Sequence, residues 1–259
     1  MRKLVIAVLV VLGLAVAADF GAAAFAEYTV AKNLKERLGL ATEPSVQIEG
    51  FPFLTQALAG HYSAIDMNAA GLSVGPLHDV EAEATLHDVD APLSEVTAGN
   101  LQSVQAARVD GRIRVKDSDL GRAIGIEDLR VQPPSDNEIK AVLPAGGSTS
   151  GSRAPVRMMA TTDVAGQRIE IIGIGMIELN GSALRITVVD VRLAHGDGGE
   201  VTLPREIRQV LLKALSTEVQ PGQLPFTVTP TRVSVETGSL VVEGTAQHVS
   251  MAQAGVSAR

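Results

Sequence analysis

The apolar residues of this chain follow three spacings, and each spacing predicts a different kind of element. Residues 4–18 form an uninterrupted run of apolar or small side chains. Residues 20–38 place apolar side chains on one helical face and charged ones opposite, which predicts an amphipathic helix that ends at Gly39. From Ser45 onward apolar and polar residues alternate, which is typical of strands with one buried face and one wet face.

The alternating pattern continues on both sides of a glycine-rich segment. Before that segment, strands are predicted around Val46 and Ile48, Ile65 and Met67, and Leu72 and Val74, and at residues 80–86, 112–116, 127–132 and 138–143, with a helix at 117–124. After it, strands are predicted at residues 156–163, 168–178, 183–193, 226–236 and 239–246, with a helix at 204–219. Within 112–116 we expect Ile113 and Val115 to face inward and the three basic side chains to face outward.

The glycine-rich segment itself, residues 145–152, is typical of a linker or a mobile loop. The order of strands, helix and two further strands occurs once on each side of it. One interpretation is a pseudo-repeat divided near 145–152, and the other is a chance regularity of strand order. Either interpretation predicts an α+β protein in which a few amphipathic helices lie against a long, curved antiparallel sheet.

Composition and charge narrow the class of protein. Hydrophobic residues make up 46% of the chain, but only 3% are aromatic and there is no tryptophan, so the core must be aliphatic, which favours strands. The net charge of −7 argues against binding to nucleic acid and against a polybasic membrane patch in the folded part. The absence of cysteine excludes disulfides, thiolate metal sites, a cysteine nucleophile and a lipidated cysteine.

The N-terminal apolar run predicts export. Arg2 and Lys3 precede it, and this positive flank keeps the N-terminus in the cytoplasm and the body outside. The run is shorter than the about 20 residues of a comfortable membrane span. Residues 1–26 are therefore predicted to be a signal peptide or, if the helix continues to Ala26, an uncleaved signal anchor. Small residues suited to a signal peptidase occur at Val16 and Ala18 and again at Ala22 and Ala24.

Conventional catalytic patterns are not found in the sequence. The histidines are far apart and none has a second ligand at helical spacing. Residues 147–151 superficially resemble a hydrolase elbow, but Thr149 stands at the centre and the segment is a linker. We therefore expect no enzyme activity, no metal and no cofactor. The five histidines are His61, His78, His87, His195 and His248.

The stretch from residue 50 to residue 60 is the one run that ordinary scaffolding does not explain. Pro52 fixes its own backbone angle and biases Phe51 toward an extended conformation. A short apolar turn follows and ends at Gly60. One interpretation is a buried plug between two strands, and the other is the lip or wall of an apolar pocket.

A second apolar surface is the strand predicted around residues 168–179. It is either buried on both faces under a helix or lines a cavity with room for flexible chains. Burying acyl chains contributes about 0.8 kcal/mol per methylene, so such a groove needs no charged site to hold a lipid. The candidate lipid-binding residues are Phe51, Pro52, Phe53, Leu54, Leu58, Ile65, Ile172, Ile174, Leu211 and Leu215.

The motif at residues 46–56, VQIEGFPFLTQ, resembles the LmeA-like phospholipid-binding family of actinobacteria. Later echoes are the segments at residues 91–94 and 109–111. The resemblance implies phospholipid binding in the cell envelope and support for the elongation of mannose-rich lipoglycans. It also implies a fold similar to tubular lipid-binding proteins, in which a strongly curved sheet wraps a long helix and encloses an apolar tunnel.

These observations together predict that residues 27–259 form a lipid-binding, lipid-transfer or lipid-presenting domain on the periplasmic side of the plasma membrane. Its partners would be a phospholipid, a membrane reached through the N-terminal segment, and an envelope glycosyltransferase. Either residues 51–58 or the glycine-rich segment would act as the gate. The alternative is a scaffold or accessory partner of envelope glycosyltransferases that binds no lipid and whose apolar surface is wholly internal.

Overall fold

The computed structural model describes residues 1–97, 103–126, 128–143, 151–164, 167–181, 183–195, 200–201, 203–219 and 229–250. The helices are α1 (Arg2–Leu38), α2 (Phe53–Ala59), α3 (Leu93–Thr97), α4 (Asp117–Ile124), α5 (Asp136–Val142) and α6 (Arg205–Leu215). The strands are β1 (Ser45–Glu49), β2 (His61–Val74), β3 (Leu77–Asp90), β4 (Gln105–Lys116), β5 (Arg130–Gln132), β6 (Arg153–Val164), β7 (Gln167–Asn180), β8 (Ala183–His195), β9 (Glu200–Val201), β10 (Thr217–Val219), β11 (Thr229–Glu236) and β12 (Ser239–Ser250).

The described strands form two antiparallel sheets. The first sheet has the order β1-β2-β3-β4-β12-β11, and the second has the order β10-β8-β7-β6-β5, with β9 paired to β8. A mixed α and β protein built on large antiparallel sheets is thereby confirmed. The prediction of one long sheet is wrong, because the chain leaves the first sheet after β4, builds the second, and returns with β11 and β12.

The two sheets share one hydrophobic core. Inward side chains of the first sheet and side chains of the second belong to a single buried cluster that includes Val80, Val115, Leu240, Val156, Ile177 and Ile186. On the outer face of the first sheet, Arg112 pairs with Glu243 at 2.8 Å and Lys116 with Asp79 at 2.7 Å. Residues 112–116 of β4 therefore show the predicted alternation of inward apolar and outward basic side chains, and this prediction is confirmed.

The N-terminal helix α1 is continuous over 37 residues but is packed along only half of its length. Residues 1–18 are all exposed, whereas Asp19, Ala26 and Val30 are buried against the body. Gly39 ends the helix in the left-handed conformation with φ 63°, as expected. α1 runs from the apolar run into the packed half without a break, so the helix continues through Ala26, which is compatible with either a signal peptide or a signal anchor.

Three predicted elements have different boundaries or types. Residues 138–143 form helix α5 and not a strand, because Ser135 and Glu138 make a reciprocal capping box at its start. The helix predicted at 204–219 ends at Leu215, and the chain then pairs with β8 as β10. The strands predicted separately around Ile65 and Met67 and around Leu72 and Val74 are one strand, β2, with a register shift between Ala69 and Leu72. The predicted strand start at residues 226–228 lies outside the described residues.

The two sheets are not divided at the glycine-rich segment. Residues 144–150 lie outside the described part of the chain, but β5 before them and β6 after them are neighbours in the second sheet. The last hairpin, β11 and β12, belongs to the first sheet. The internal duplication therefore stays a prediction, and the sheet pairing does not follow its boundary.

Candidate functional site

Helix α2 has two apolar faces, one buried and one exposed. Phe53 and Ala57 are four residues apart and point into the core. Leu54 and Leu58, also four residues apart, point outward and are 40% and 87% exposed. Surface helices normally carry polar side chains on the outward face. The short helix is therefore both a core element, as the plug interpretation expects, and an exposed apolar surface, as the lip interpretation expects.

The start of α2 is held by a carboxylate from another helix. Asp19 of α1 is buried, and its two oxygens accept the backbone N–H groups of Phe53, at 2.8 Å, and Leu54, at 2.7 Å. The first N–H groups of a helix have no partner within it, and an anion near them is favourable. Asp19 thus joins α1 to the motif. Sequence reasoning missed this role, although an acid placed directly after the apolar run was a visible signal.

The polar residues of the motif hold the chain in place. Gly50 has φ +100°, and a Cβ there would lie 2.8 Å from the Oγ of Ser63. The Nε2 of Gln56 donates to the carbonyl of Glu49 at 3.2 Å, and its Oε1 accepts the N–H of Ser63 at 2.9 Å. These contacts connect β1, α2 and β2, so Gly50 and Gln56 are structural residues of the motif.

Aromatic side chains are concentrated around α1 and α2. Six of the seven aromatic residues of the chain lie between residues 20 and 62. Phe53 packs against Tyr62, whose burial raises the pKa of its hydroxyl. Phe20 stacks on Phe51 with the ring centroids 5.9 Å apart, and both rings remain mostly exposed. We call the exposed side chains of Phe20, Phe51, Leu54 and Leu58 the apolar lip.

A cleft of about 530 Å³ lies beside the C-terminal end of α2. This volume is within the range of small-ligand pockets. His61 lies near the cleft, with its Nδ1 2.8 Å from the Oδ1 of Asp90. No lysine or arginine is among the described lining residues, so the cleft offers apolar contacts and no cation for a phosphate. Its lining comprises Ala57, Leu58, Ala59, Gly60, Asp90, Ala91, Pro92, Leu93, Ser103 and Gln105.

Open space lies on the inner face of the first sheet beside Gly111 of β4. Ile113 packs against the core shared by the two sheets, whereas Ile65 packs against the core under α1 and α2. Ala84, the partner of Gly111 on β3, also packs against the core under α1 and α2. No side chain lies within 4 Å of the position where a Gly111 Cβ would be. We call this area the inner-face gap.

The remaining candidate residues are far from the motif in the fold. Leu211 and Leu215 pack on the shared core, and Leu215 Cδ1 lies 3.6 Å from the position of a Gly173 Cβ. Ile172 and Ile174 flank Gly173 and therefore point to the opposite face of β7, where Ile174 is fully buried. This strand is covered on both faces. The structure thus brings together Phe51, Pro52, Phe53, Leu54, Leu58 and Ile65, but not the other four candidates.

Within the described residues, no group of three or more histidine, aspartate or glutamate side chains is arranged to hold a metal ion. His87 contacts Asp110 at 3.0 Å on the outer side of the first sheet, next to Arg108. These pairs are cross-strand contacts on a wet sheet face. The surface around α2 can therefore bind a ligand by burying its apolar chains.

The fold and the site define a class of protein: a two-sheet antiparallel α+β protein whose N-terminal helix is long and apolar enough to cross a membrane, with an uncharged apolar surface at the root of that helix. The chain belongs to the LmeA-like phospholipid-binding family, whose model matches residues 17–245. The predicted resemblance is thereby confirmed, and the family description is one of binding and not of catalysis. No curated protein and no solved structure matches the chain.

Proposed function

We propose that this chain binds a phospholipid at the membrane surface, with an acyl chain in the cleft beside α2. The observation that carries the proposal is the cleft of about 530 Å³, which α2 borders through Leu58, two residues after the family motif. The family supplies the class of ligand. Each methylene buried there contributes about 0.8 kcal/mol, so binding is expected to strengthen with the length of acyl chain that the cleft takes up.

The charge of the cleft indicates which part of the lipid is recognised. Its described lining contains Asp90 and no basic residue. A phosphate would find no ion pair there, and lipid headgroups would stay in water. Binding is therefore expected to depend on acyl chains, to change little between headgroups and to be insensitive to salt.

The proposed location is the periplasmic side of the plasma membrane, with α1 retained as an anchor. Cleavage after Ala24 would remove Asp19 and leave the buried N–H of Phe53 and the part-buried N–H of Leu54 without an acceptor. An unsatisfied buried donor costs about 1–3 kcal/mol. Retention of α1 avoids this cost, as does cleavage after Ala18, which leaves Asp19 in place; the intact mass of the protein extracted from membranes distinguishes the three forms.

The wider role we propose is to carry or present phospholipid in an actinobacterial envelope and to support the elongation of mannose-rich lipoglycans beside a glycosyltransferase. The family resemblance is its support. The scaffold alternative predicts a different result: a stable glycosyltransferase partner captured by crosslinking in cells, and a purified body that contains no lipid.

Residues 19–259 are the appropriate protein for a lipid test, because none of residues 1–18 is buried by the body. We expect this body, prepared without detergent, to retain phospholipid detectable by mass spectrometry. Leu58→Asp is expected to lower the bound lipid about ten-fold or more, since a charge would meet the acyl chain. Val210→Asp is the matched control, because Val210 is 67% exposed on α6.

Two outcomes would contradict the proposal in different ways. If Leu58→Asp retains as much lipid as the unchanged body, the cleft is not the binding site. In that case Gly111→Leu tests the alternative place, because the added side chain fills the inner-face gap. If Gly111→Leu loses the lipid and Leu58→Asp does not, the lipid binds on the inner face of the first sheet. A body that contains no lipid and takes up none from liposomes would contradict lipid binding itself.

A further inference from the structure

The apolar lip lies where α1 leaves the body of the protein. Asp19 is the first buried residue of α1, and the next residue, Phe20, stacks on Phe51. Every residue before Asp19 is exposed. Among the described residues, α1 is the one helix long and apolar enough to cross a membrane. The lip therefore adjoins the root of the candidate membrane span.

The exposed apolar run is shorter than the membrane it would cross. Residues 4–18 extend about 22 Å at the rise of an α-helix, whereas the hydrocarbon core is about 30 Å thick. The body begins at Asp19, so the helix alone cannot supply the missing length. With Arg2 and Lys3 at the far interface, the body surface around Asp19 is drawn against the acyl chains.

The surface at this place is suited to acyl chains. Residues 50–60 contain no charged side chain. Leu54 and Leu58 occupy the outward positions of α2, where a water-facing helix would carry polar residues. Leucine and phenylalanine are side chains that interfacial helices bury at the headgroup and acyl boundary. Four such residues side by side form a patch, in contrast to single exposed apolar residues, which are common.

The acid of α1 at this level is shielded from lipid. Both carboxylate oxygens of Asp19 accept N–H groups of α2, and the side chain is buried. An acid that directly follows a membrane span and faces lipid would be costly. Because α2 covers Asp19, the exposed surface at the end of the span contains the lip and not the carboxylate.

We propose that the apolar lip is a membrane-docking surface, which inserts into the acyl boundary of the leaflet where α1 emerges. Anchor and lip then fix the body on the bilayer in one orientation. Docking does not depend on the proposed lipid binding. If the proposed function holds as well, the cleft lined by Leu58 opens at the membrane surface, and a lipid enters it from the leaflet without crossing water.

The chain contains no tryptophan, so one introduced indole reports its own position. We would place the full chain with Phe51→Trp in phosphatidylcholine nanodiscs that carry bromine at shallow or at deep acyl positions. Phe51 does not line the cleft, and the signal that a lipid bound there would produce is measured separately, with Phe51→Trp in residues 19–259 loaded with the same brominated lipid and no bilayer. Shallow bromine is expected to quench the fluorescence about two-fold or more, and deep bromine less.

Val210→Trp is the matched control, since Val210 is equally exposed but lies on α6 against the second sheet. It is expected to be unquenched. Adding Leu54→Asp to the Phe51→Trp chain is expected to restore the fluorescence while α1 stays inserted, because the charge lifts the lip from the acyl region. Leu54 is exposed, so this change leaves the core intact.

Four results would overturn docking. In an inserted chain, a Phe51→Trp spectrum that is neither quenched by brominated lipids nor blue-shifted would show a lip in water. A blue-shifted but unquenched spectrum would show that the lip is covered by a second copy of the chain. Equal quenching at Phe51 and Val210, or quenching that Leu54→Asp leaves unchanged, would show that the body has no defined docking surface.

Discussion

Helices α2 and α6 both cover a sheet with apolar side chains four residues apart, but they differ on their outward faces. α6 packs Leu211 and Leu215 on the shared core and carries mainly charged and polar residues outside. α2 buries Phe53 and Ala57 and exposes leucine, without any charge. The inward periodicity is the same in both helices. The outward face is therefore what separates a scaffold helix from a candidate binding surface.

The largest expected effect separates the two phenylalanines of the motif. Phe53→Ala is expected to lower the free energy of unfolding of residues 19–259 by about 3–5 kcal/mol, because it empties a packed core site beside Tyr62. Phe51→Ala, at a ring that is 61% exposed, is expected to cost less than about 1 kcal/mol. Urea denaturation measures both. If both variants lost the same unfolding free energy, Phe51 would be packed as firmly as Phe53, and the motif would have no exposed side.

Asp19→Ala is expected to have the second-largest effect, a loss of about 2–4 kcal/mol of unfolding free energy, since the buried N–H of Phe53 and the part-buried N–H of Leu54 lose a charged acceptor. Hydrogen exchange of the amides in α2 should accelerate, whereas those in α6 should not change. Asp19→Asn keeps one acceptor oxygen and should lose less stability. Unchanged exchange in α2 would show that this helix does not depend on α1.

Gly50→Ala is expected to cost about 1–3 kcal/mol, because a left-handed φ and a contact of 2.8 Å with Ser63 act together. Gly125→Ala is the matched control: it has φ +78° but nothing within 4 Å of its Cβ position. The control should therefore show the backbone strain without the clash. If Gly50→Ala lowers the unfolding free energy no more than the control does, the motif accommodates the added methyl group beside Ser63 without strain.

The smallest expected effect concerns acid stability beside the second sheet. Burial alone would raise the pKa of Glu138, but hydrogen bonds from Ser135 and the charge of Arg157 outweigh it and lower the pKa below its ordinary value of 4.5. The ionised carboxylate therefore stabilises the fold above about pH 4.5, and this contribution is lost as the pH falls through the lowered pKa. Glu138→Gln should cost about 1 kcal/mol at pH 7 and less in acid; a cost independent of pH would contradict this assignment.

Much of the first sheet follows from the sequence, because apolar and polar residues alternate along much of its strands. Ile113 and Val115 face inward, and Arg112 finds acidic partners on the outer face, as its position predicts. The family was predictable from the motif at residues 46–56. The division into two sheets was not, because alternation defines the faces of a strand but not its neighbours. The tubular wrap of a strongly curved sheet around a helix stays a prediction.

The candidate site was predictable in part. Leu54 and Leu58 are exposed, but Phe53 of the same motif is a core residue, and sequence alone does not show which face of a seven-residue apolar helix is covered. Asp19 was missed because its partners are backbone N–H groups 34 and 35 residues away. Ile172 and Ile174 were included for their apolar run, which in this fold reflects a strand covered on both faces.

The place of β12 in the first sheet has a consequence for folding. In chain order the whole second sheet lies between β4 and β12, so β4 pairs with β12 only after those residues have been synthesised. The ion pair of Arg112 and Glu243, 131 residues apart, shows this separation. Pairing over such a separation is slow, and an unpaired strand edge can add other chains in the meantime. A chain that stops before Ser239 is therefore expected to aggregate through β4 and not to fold into a smaller protein.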